Sequence, residues 1–312
     1  MGGYRTGVRG RSSRGRRPQL LRPPRVFPLM AAARVLLSAL ALSVSSARVV
    51  FSPGGSYERT TTRTFEVDET TTVHVRVSGG RIRVTAGEPG KAHITLTARV
   101  RASSESDAEA AVRDYDVVLQ QQGQDITASA RRRRVQDWMF GDNGRVQFRA
   151  ELEVPPGVAL DLDTNGGSIT VRGDRVGKLL ADTSGGAITV DGGRGELVLN
   201  TSGGGITVER ALGLLRANTS GGSINVGYVG PTAESVTLDT SGGGIRVGID
   251  REASLRIRAQ TSGGGVSIDG FEFDSLSKGK SRADATLNGG RGTLAAHTSG
   301  GSIRISRADG LD

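Results

Sequence analysis

In the C-terminal half of the chain, the residues best placed to do chemistry stand one position before a recurring turn: Asp163, Asp182, Asn200, Asn218, Asp239, Gln260 and His297. Each is followed by Thr-Ser/Asn-Gly-Gly. If successive copies stack in register, these side chains form a polar row with about 5 Å between rungs. Neighbouring Asp163 and Asp182 would then repel. A cation relieves such repulsion; otherwise one carboxylate keeps its proton and serves as an acid. The structural alternative, which we prefer, has Asp and Asn capping the turn through their own backbone, with the next Thr and Ser hydroxyls stacked in ladders.

A second candidate is an interaction patch of Arg131, Arg132, Arg133 and Arg134 followed by Trp138, Met139 and Phe140. Four guanidinium groups beside aromatic rings suit an anionic polymer, a lipid headgroup or a partner protein. The simpler reading, again preferred, is a charged strand edge that deters edge pairing, with the single Trp plugging one end of the fold. Beyond these the chemistry is sparse. The three histidines, His74, His93 and His297, are isolated in sequence, and the absence of Cys excludes disulfides and thiolate-bound zinc or iron-sulfur sites. No Gly-x-Ser-x-Gly elbow stands between strand and helix, and the Gly-Gly pairs do not open helices, so nucleophile-elbow and phosphate-loop readings fail. No catalytic residue, metal or cofactor is expected.

What must position the polar row is a repeat. The turns run Thr164/Gly166/Gly167, Thr183/Gly185/Gly186, Thr201/Gly203/Gly204, Thr219/Gly221/Gly222, Thr240/Gly242/Gly243, Thr261/Gly263/Gly264 and Thr298/Gly300/Gly301, spaced by 19, 18, 18, 21, 21 and 37 residues. Apolar residues stand four and two before each Thr and five and seven after it, as in Leu179, Ala181, Ile188 and Val190. Alternation with period two marks strands with one buried face. Each copy is therefore two short strands around a Gly-Gly corner. One copy cannot bury its own apolar face, so copies must stack as a solenoid. The glycines are expected to take positive φ and to let neighbouring backbones approach, which makes Gly185→Val costly. The 37-residue step implies an excursion around 271–284, or a degenerate copy there. Val73, Val75, Ser78-Gly79-Gly80, Ile82 and Val84 repeat the frame without the Thr and suggest a divergent eighth copy.

Around the repeat, Ser104 with Asp107 predicts a short capped helix. Residues 117–130 around Gln122-Gly123 predict a hairpin, and 146–154 a strand. The chain carries 41 basic and 32 acidic residues, but nine arginines and no acidic residue fall in 1–47, and removing them leaves 32 against 32. The basic surplus thus belongs to the leader and does not argue for nucleic acid. From Met30 the leader reads as a signal peptide with cleavage after Ala47, too short to span a bilayer. A mitochondrial presequence is the rival. Translation is expected to start at Met30, leaving 1–29 an Arg-rich extension. The remaining segments are a β-rich N-terminal cap with one short helix (48–157), the repeat domain (158–306) and a tail (307–312).

The run Leu152-Glu-Val-Pro-Pro-Gly157 leading into Asp163-Thr-Asn-Gly-Gly-Ser-Ile-Thr-Val171, with the later Thr-Ser-Gly-Gly-x-Ile-x-Val copies, resembles the bacterial putative-adhesin family of extracytoplasmic β-strand repeats. The resemblance covers about residues 57–306. It implies a solenoid-like fold in an exported or envelope-associated protein and carries over no catalytic residues. The expectation is thus an all-β, β-helix-like solenoid of about seven to eight two-strand repeats of 18–21 residues. Its function would be non-catalytic: a rigid polar surface for adhesion or envelope contacts with a protein or polysaccharide, secreted, periplasmic or at the cell surface. One alternative is a polysaccharide-active β-helix enzyme using Asp163 and Asp182, against which stands the aromatic content of 161–312, only Tyr228, Phe271 and Phe273. Another is a self-assembling scaffold.

Overall fold

The computed structural model describes residues 46–52, 56–133 and 146–308, with side chains from residue 56 onward. The expected extension 1–29, most of the signal segment, Arg134, Trp138, Phe140 and the last four residues lie outside the described residues. Alternation dictates strands throughout. The N-terminal part comprises β1 (Ser46–Ser52), β2 (Ser56–Glu66), β3 (Thr72–Val77), β4 (Arg81–Ala86), β5 (Lys91–Arg101), α1 (Glu105–Arg113), β6 (Tyr115–Gln122), β7 (Asp125–Arg132) and β8 (Val146–Val154). The repeats follow as β9 (Ala159–Thr164), β10 (Ile169–Arg175), β11 (Leu179–Thr183), β12 (Ile188–Gly193), β13 (Glu196–Thr201), β14 (Ile206–Ala211), β15 (Leu214–Thr219), β16 (Ile224–Val229), β17 (Ser235–Thr240) and β18 (Ile245–Ile249). The chain ends with β19 (Leu255–Thr261), β20 (Val266–Asp269), β21 (Ser275–Lys278), β22 (Arg282–Leu287), β23 (Gly292–Thr298) and β24 (Ile303–Arg307).

These strands form two sheets. The strand before each Gly-Gly corner joins one sheet and the strand after it joins the other, so the corner is where the chain crosses between them. The first sheet runs β1-β2-β5-β8-β4-β10-β12-β14-β16-β18-β24-β20, the second β21-β22-β19-β23-β17-β15-β13-β11-β9-β3-β7-β6. From β4 to β20 and from β7 to β19 all pairs are parallel. The inward rows of both sheets, such as Leu160, Leu179, Leu197 and Leu215 facing Ile169, Ile188, Ile206 and Ile224, are buried in one continuous apolar cluster. At roughly 1.5–3 kcal/mol for each fully buried aliphatic side chain, this shared interior is what holds strands too short to stand alone. The divergent frame at 73–84 supplies β3 and β4, with Val73 opposite Leu160 and Ile82 opposite Ile169.

Stacking departs from chain order at both ends. β7 and β8 pair in parallel on the outer side of β3 and β4, although they follow them in sequence. β23 lies between β17 and β19, and β24 between β18 and β20, so the last copy is inserted ahead of the Thr261 copy. The 37-residue step is an excursion, with no parallel rung in it: β21 and β22 form an antiparallel hairpin, and β22 runs antiparallel along β19. At the other end the pairing also turns antiparallel, through β8-β5, β5-β2 and β2-β1 in one sheet and β7-β6 in the other. Helix α1 spans nine residues, its first turn capped by Ser104, whose hydroxyl accepts the Asp107 N–H at 3.2 Å. Cleavage after Ala47 would leave Arg48–Ser52 of β1.

Candidate functional site: a polar trough along the corners

The corner is built around its Thr. Thr164, Thr183, Thr201, Thr219, Thr240, Thr261 and Thr298 are all buried. Each hydroxyl donates to the carbonyl of the second glycine one rung away, at 2.6 to 2.9 Å. All but Thr164 also accept the N–H of the second glycine in their own turn, at 3.1 to 3.3 Å. The expected hydroxyl ladder is therefore replaced by a relay from amide to hydroxyl to carbonyl. Buried backbone groups need partners, and the corner carbonyl, crossing between sheets, would otherwise lack one.

The glycine expectation needs correcting too. Positive φ occurs at Gly79, Gly90, Gly123, Gly173, Gly192, Gly270, Gly289 and Gly290, and at none of the fourteen repeat-turn glycines. Close approach is the whole reason for the second glycine: a Cβ at Gly167, Gly186, Gly204, Gly222, Gly243, Gly264 or Gly301 would collide with the backbone of the adjacent rung. The first glycine is looser. At Gly166, Gly185 and Gly203 a Cβ would lie 3.9, 3.7 and 3.5 Å from its nearest neighbour, against 3.3 Å at Gly221 and Gly242, 3.1 Å at Gly300 and 3.0 Å at Gly263.

With the turns fixed, the residues before them align. Across the second sheet the order is Arg76, Asp163, Asp182, Asn200, Asn218, Asp239, His297 and Gln260. Asp and Asn do not cap their own backbone, as expected above, but bond to one another: Asn218 donates to Asn200 Oδ1 at 2.9 Å, and Asn200 donates to Asp182 Oδ1 at 2.8 Å. An in-register sheet sets equivalent side chains close enough for a lateral amide chain. The members of this order from Asp163 to His297, with Ser184, Ser202, Ser220, Ser241 and Ser299, line an open trough of about 450 Å³. Gln260, on the far side of His297, does not line it.

Arg76 heads the row. It stands one residue before Val77, which occupies the Thr position of the divergent copy, so the repeat frame already contained the signal that would have placed it. Its guanidinium donates to Asp161 at 2.7 Å, and His74 Nδ1 lies 2.9 Å from the same carboxylate oxygen while Nε2 faces Asp125 at 3.3 Å. The bond to Asp161 raises the Arg76 pKa against a smaller loss from burial, with the charges of Asp161, Asp163 and Asp182 adding to the rise. Burial alone would raise the Asp161 carboxyl, but hydrogen bonds and charge from Arg76 and His74 outweigh it and hold the group below its ordinary value. A fixed cation thus sits beside the carboxylates at Asp163 and Asp182, where repulsion was expected. Among the described residues, no group of three His, Asp or Glu is arranged to hold a metal ion.

The arginine run falls at the end of β7. Arg131 is exposed and Arg132 half-buried, because strand alternation sends neighbours to opposite faces. Arg133 donates its backbone N–H to Asp114 O at 2.8 Å, and its guanidinium lies 3.6 Å from Asp116. His93 sits on β5, where its Nδ1 lies 2.8 Å from the Thr64 hydroxyl. Arg175, which the sequence reading passed over, is fully buried and donates to Val154 O and Val158 O around the Pro155-Pro156-Gly157 turn; burial pushes its pKa down to about 10. No described helix is long and apolar enough to cross a membrane.

No curated protein matches the chain. Similar solved structures include a putative cell adhesion protein from Clostridium sporogenes ATCC 15579, 11% identical with a TM-score of 0.31, covering 85% of this chain and 100% of that one. A putative adhesin from Bacteroides fragilis NCTC 9343 is 12% identical, with a TM-score of 0.34 over 80% of this chain and 97% of its own. A putative lipid binding protein from Parabacteroides distasonis ATCC 8503 is 13% identical, with a TM-score of 0.34 over the same shares, 80% and 97%. The sequence itself matches the Toastrack DUF4097 family model over residues 38–306. That span takes in the N-terminal strands and every Thr-Gly-Gly corner, and the chain belongs to the Toastrack DUF4097 family.

Proposed function

We propose that this chain is an exported, non-catalytic binding protein whose trough holds an extended polyhydroxyl chain, a polysaccharide of the cell envelope or surface. One observation carries the reading: the Asn218, Asn200 and Asp182 side chains are bonded to one another in a line at strand spacing, so their free donors and acceptors are fixed before any ligand arrives. Preorganised polar groups bind without the cost of ordering them. Serine hydroxyls along the same line add donors and acceptors that match sugar hydroxyls. Export rests on the leader sequence, and 48–157 serves as the cap of the repeat domain, its antiparallel strands closing one end of the stack.

The test is retention of the full chain on immobilised envelope polysaccharide, compared with Asn200→Ala/Asn218→Ala. The expected result is loss of retention by the variant at an unchanged melting temperature. Equal retention of both proteins removes the trough from binding. Release of shortened oligosaccharides, abolished by Asp182→Asn, would favour the enzyme reading instead.

A further inference from the structure

The outer face of the other sheet carries a feature that the trough does not use. Arg246 on β18 and Arg304 on β24 are directly opposite one another and both exposed. Asn225 flanks Arg246 and Ser267 flanks Arg304. Beside this row, the residues just before the same four strands alternate as Ser223, Gly244, Ser302 and Gly265, and these four with Arg246, Arg304 and Ser267 line a depression of about 400 Å³. The two glycines contribute no side chain to it.

The polar groups in the depression point to one kind of ligand. The Gly244 N–H donates to Ser223 Oγ at 3.2 Å and the Gly265 N–H to Ser302 Oγ at 3.3 Å. Each serine oxygen therefore already accepts a bond, and its own hydrogen remains to be given. No carboxylate lines the depression. Three outward arginines of this sheet have acidic partners, Arg172 with Asp191, Arg210 with Asp174 and Arg99 with Glu58, whereas Arg246 and Arg304, like the opposed Arg81 and Arg149, have none among the described residues. Like charges directly opposite on neighbouring strands are destabilising, so the free protein holds this pair at a cost that an anion would remove.

The geometry points to Arg246 and Arg304 as an oxyanion site, with the Ser223 and Ser302 hydroxyls as further donors, that takes a phosphate group of a soluble phosphate ester. Guanidinium pairs suit the several acceptor oxygens of phosphate. A soluble ligand fits better than a bilayer because the apolar side chains at the depression, Ile245, Val266 and Ile303, are buried in the core and offer nothing to insert. The pairing arises only from the inserted copy. Stacking in chain order would place Ser267 between the two arginines.

Calorimetric titration of the full chain with inorganic pyrophosphate at low salt tests this. Saturable binding is expected, weakened at least about tenfold in Arg246→Gln/Arg304→Gln, intermediate in Arg304→Lys, and unchanged in Arg216→Gln, which removes an exposed charge from the opposite sheet. Without ligand, the double variant should melt at the same temperature as the parent or higher. Absence of binding at millimolar pyrophosphate, equal weakening in Arg216→Gln, or a lower melting temperature of the ligand-free double variant would overturn the assignment. Flotation with phosphatidylglycerol vesicles without pyrophosphate binding would overturn it in favour of a membrane surface.

Discussion

Thr201 illustrates why each rung carries one buried hydroxyl. Its oxygen takes the Gly204 N–H and its hydrogen goes to Gly186 O, so a single side chain satisfies two backbone groups that no ladder reaches. Leaving such groups buried and unpaired costs about 1–3 kcal/mol each. Asp161 shows the electrostatic counterpart beside Arg76, at the head of the row. Its folded pKa lies below the ordinary carboxylate value, so the folded chain binds fewer protons there than the unfolded chain as pH falls. The resulting stability is full above about pH 4, the unfolded value, and is lost as pH drops through the lower folded value. The group is partly solvated, which limits the effect. Asp161→Asn is expected to cost about 0.5–1 kcal/mol at pH 7 in urea denaturation, and the difference from the parent should shrink below pH 4. A difference that stays constant as pH falls from 7 through the acidic range would mean that the carboxylate acts by shape and not by charge.

At the scale of the element, the two glycines of a corner do different work. At Gly186 an added methyl would strike the carbonyl of Gly167 on the adjacent rung, whereas at Gly185 it meets its nearest atom at an ordinary 3.7 Å. Gly186→Ala should therefore destabilise by more than about 3 kcal/mol, while Gly185→Ala, at an ordinary φ, should be neutral or stabilise by about 0.4–1 kcal/mol through the unfolded chain. Matching denaturation midpoints would refute the distinction. From the sequence, the pair is one motif and Gly185 was the residue expected to matter. The strands and their inward rows were legible because burial imposes period two on every copy. The polar row was legible for the same reason. Which copies touch was not, since each carries the same Leu, Thr and Ile frame and any two would stack in register. The lateral amide chain of Asn200 and Asn218, and the meeting of Arg246 with Arg304, depend on that contact order.

For the whole molecule, the hazard of a parallel stack is its ends, where unpaired backbone invites another copy. The hairpin β21-β22 meets this at the far end in two ways. β22 pairs along all of β19 except its last residue, and its Ala283, Ala285 and Leu287 add to the buried core. The hairpin turn also reaches the other sheet, where Lys280 O accepts the Val266 N–H at 2.9 Å and Lys278 lies 3.6 Å from Asp269. Both edges at this end are thereby engaged by one excursion, which explains why 37 residues separate the last two turns. A self-assembling scaffold would need the reverse, ends left open to growth. Replacing 274–288 with a Gly/Ser stretch of equal length uncovers β19 and the row Leu255, Ile257 and Ala259. The parent is expected to elute at one size across a hundredfold concentration range in size-exclusion chromatography, and the variant to form larger species as concentration rises. Filaments of the parent in electron micrographs would instead make the hairpin a joint between copies.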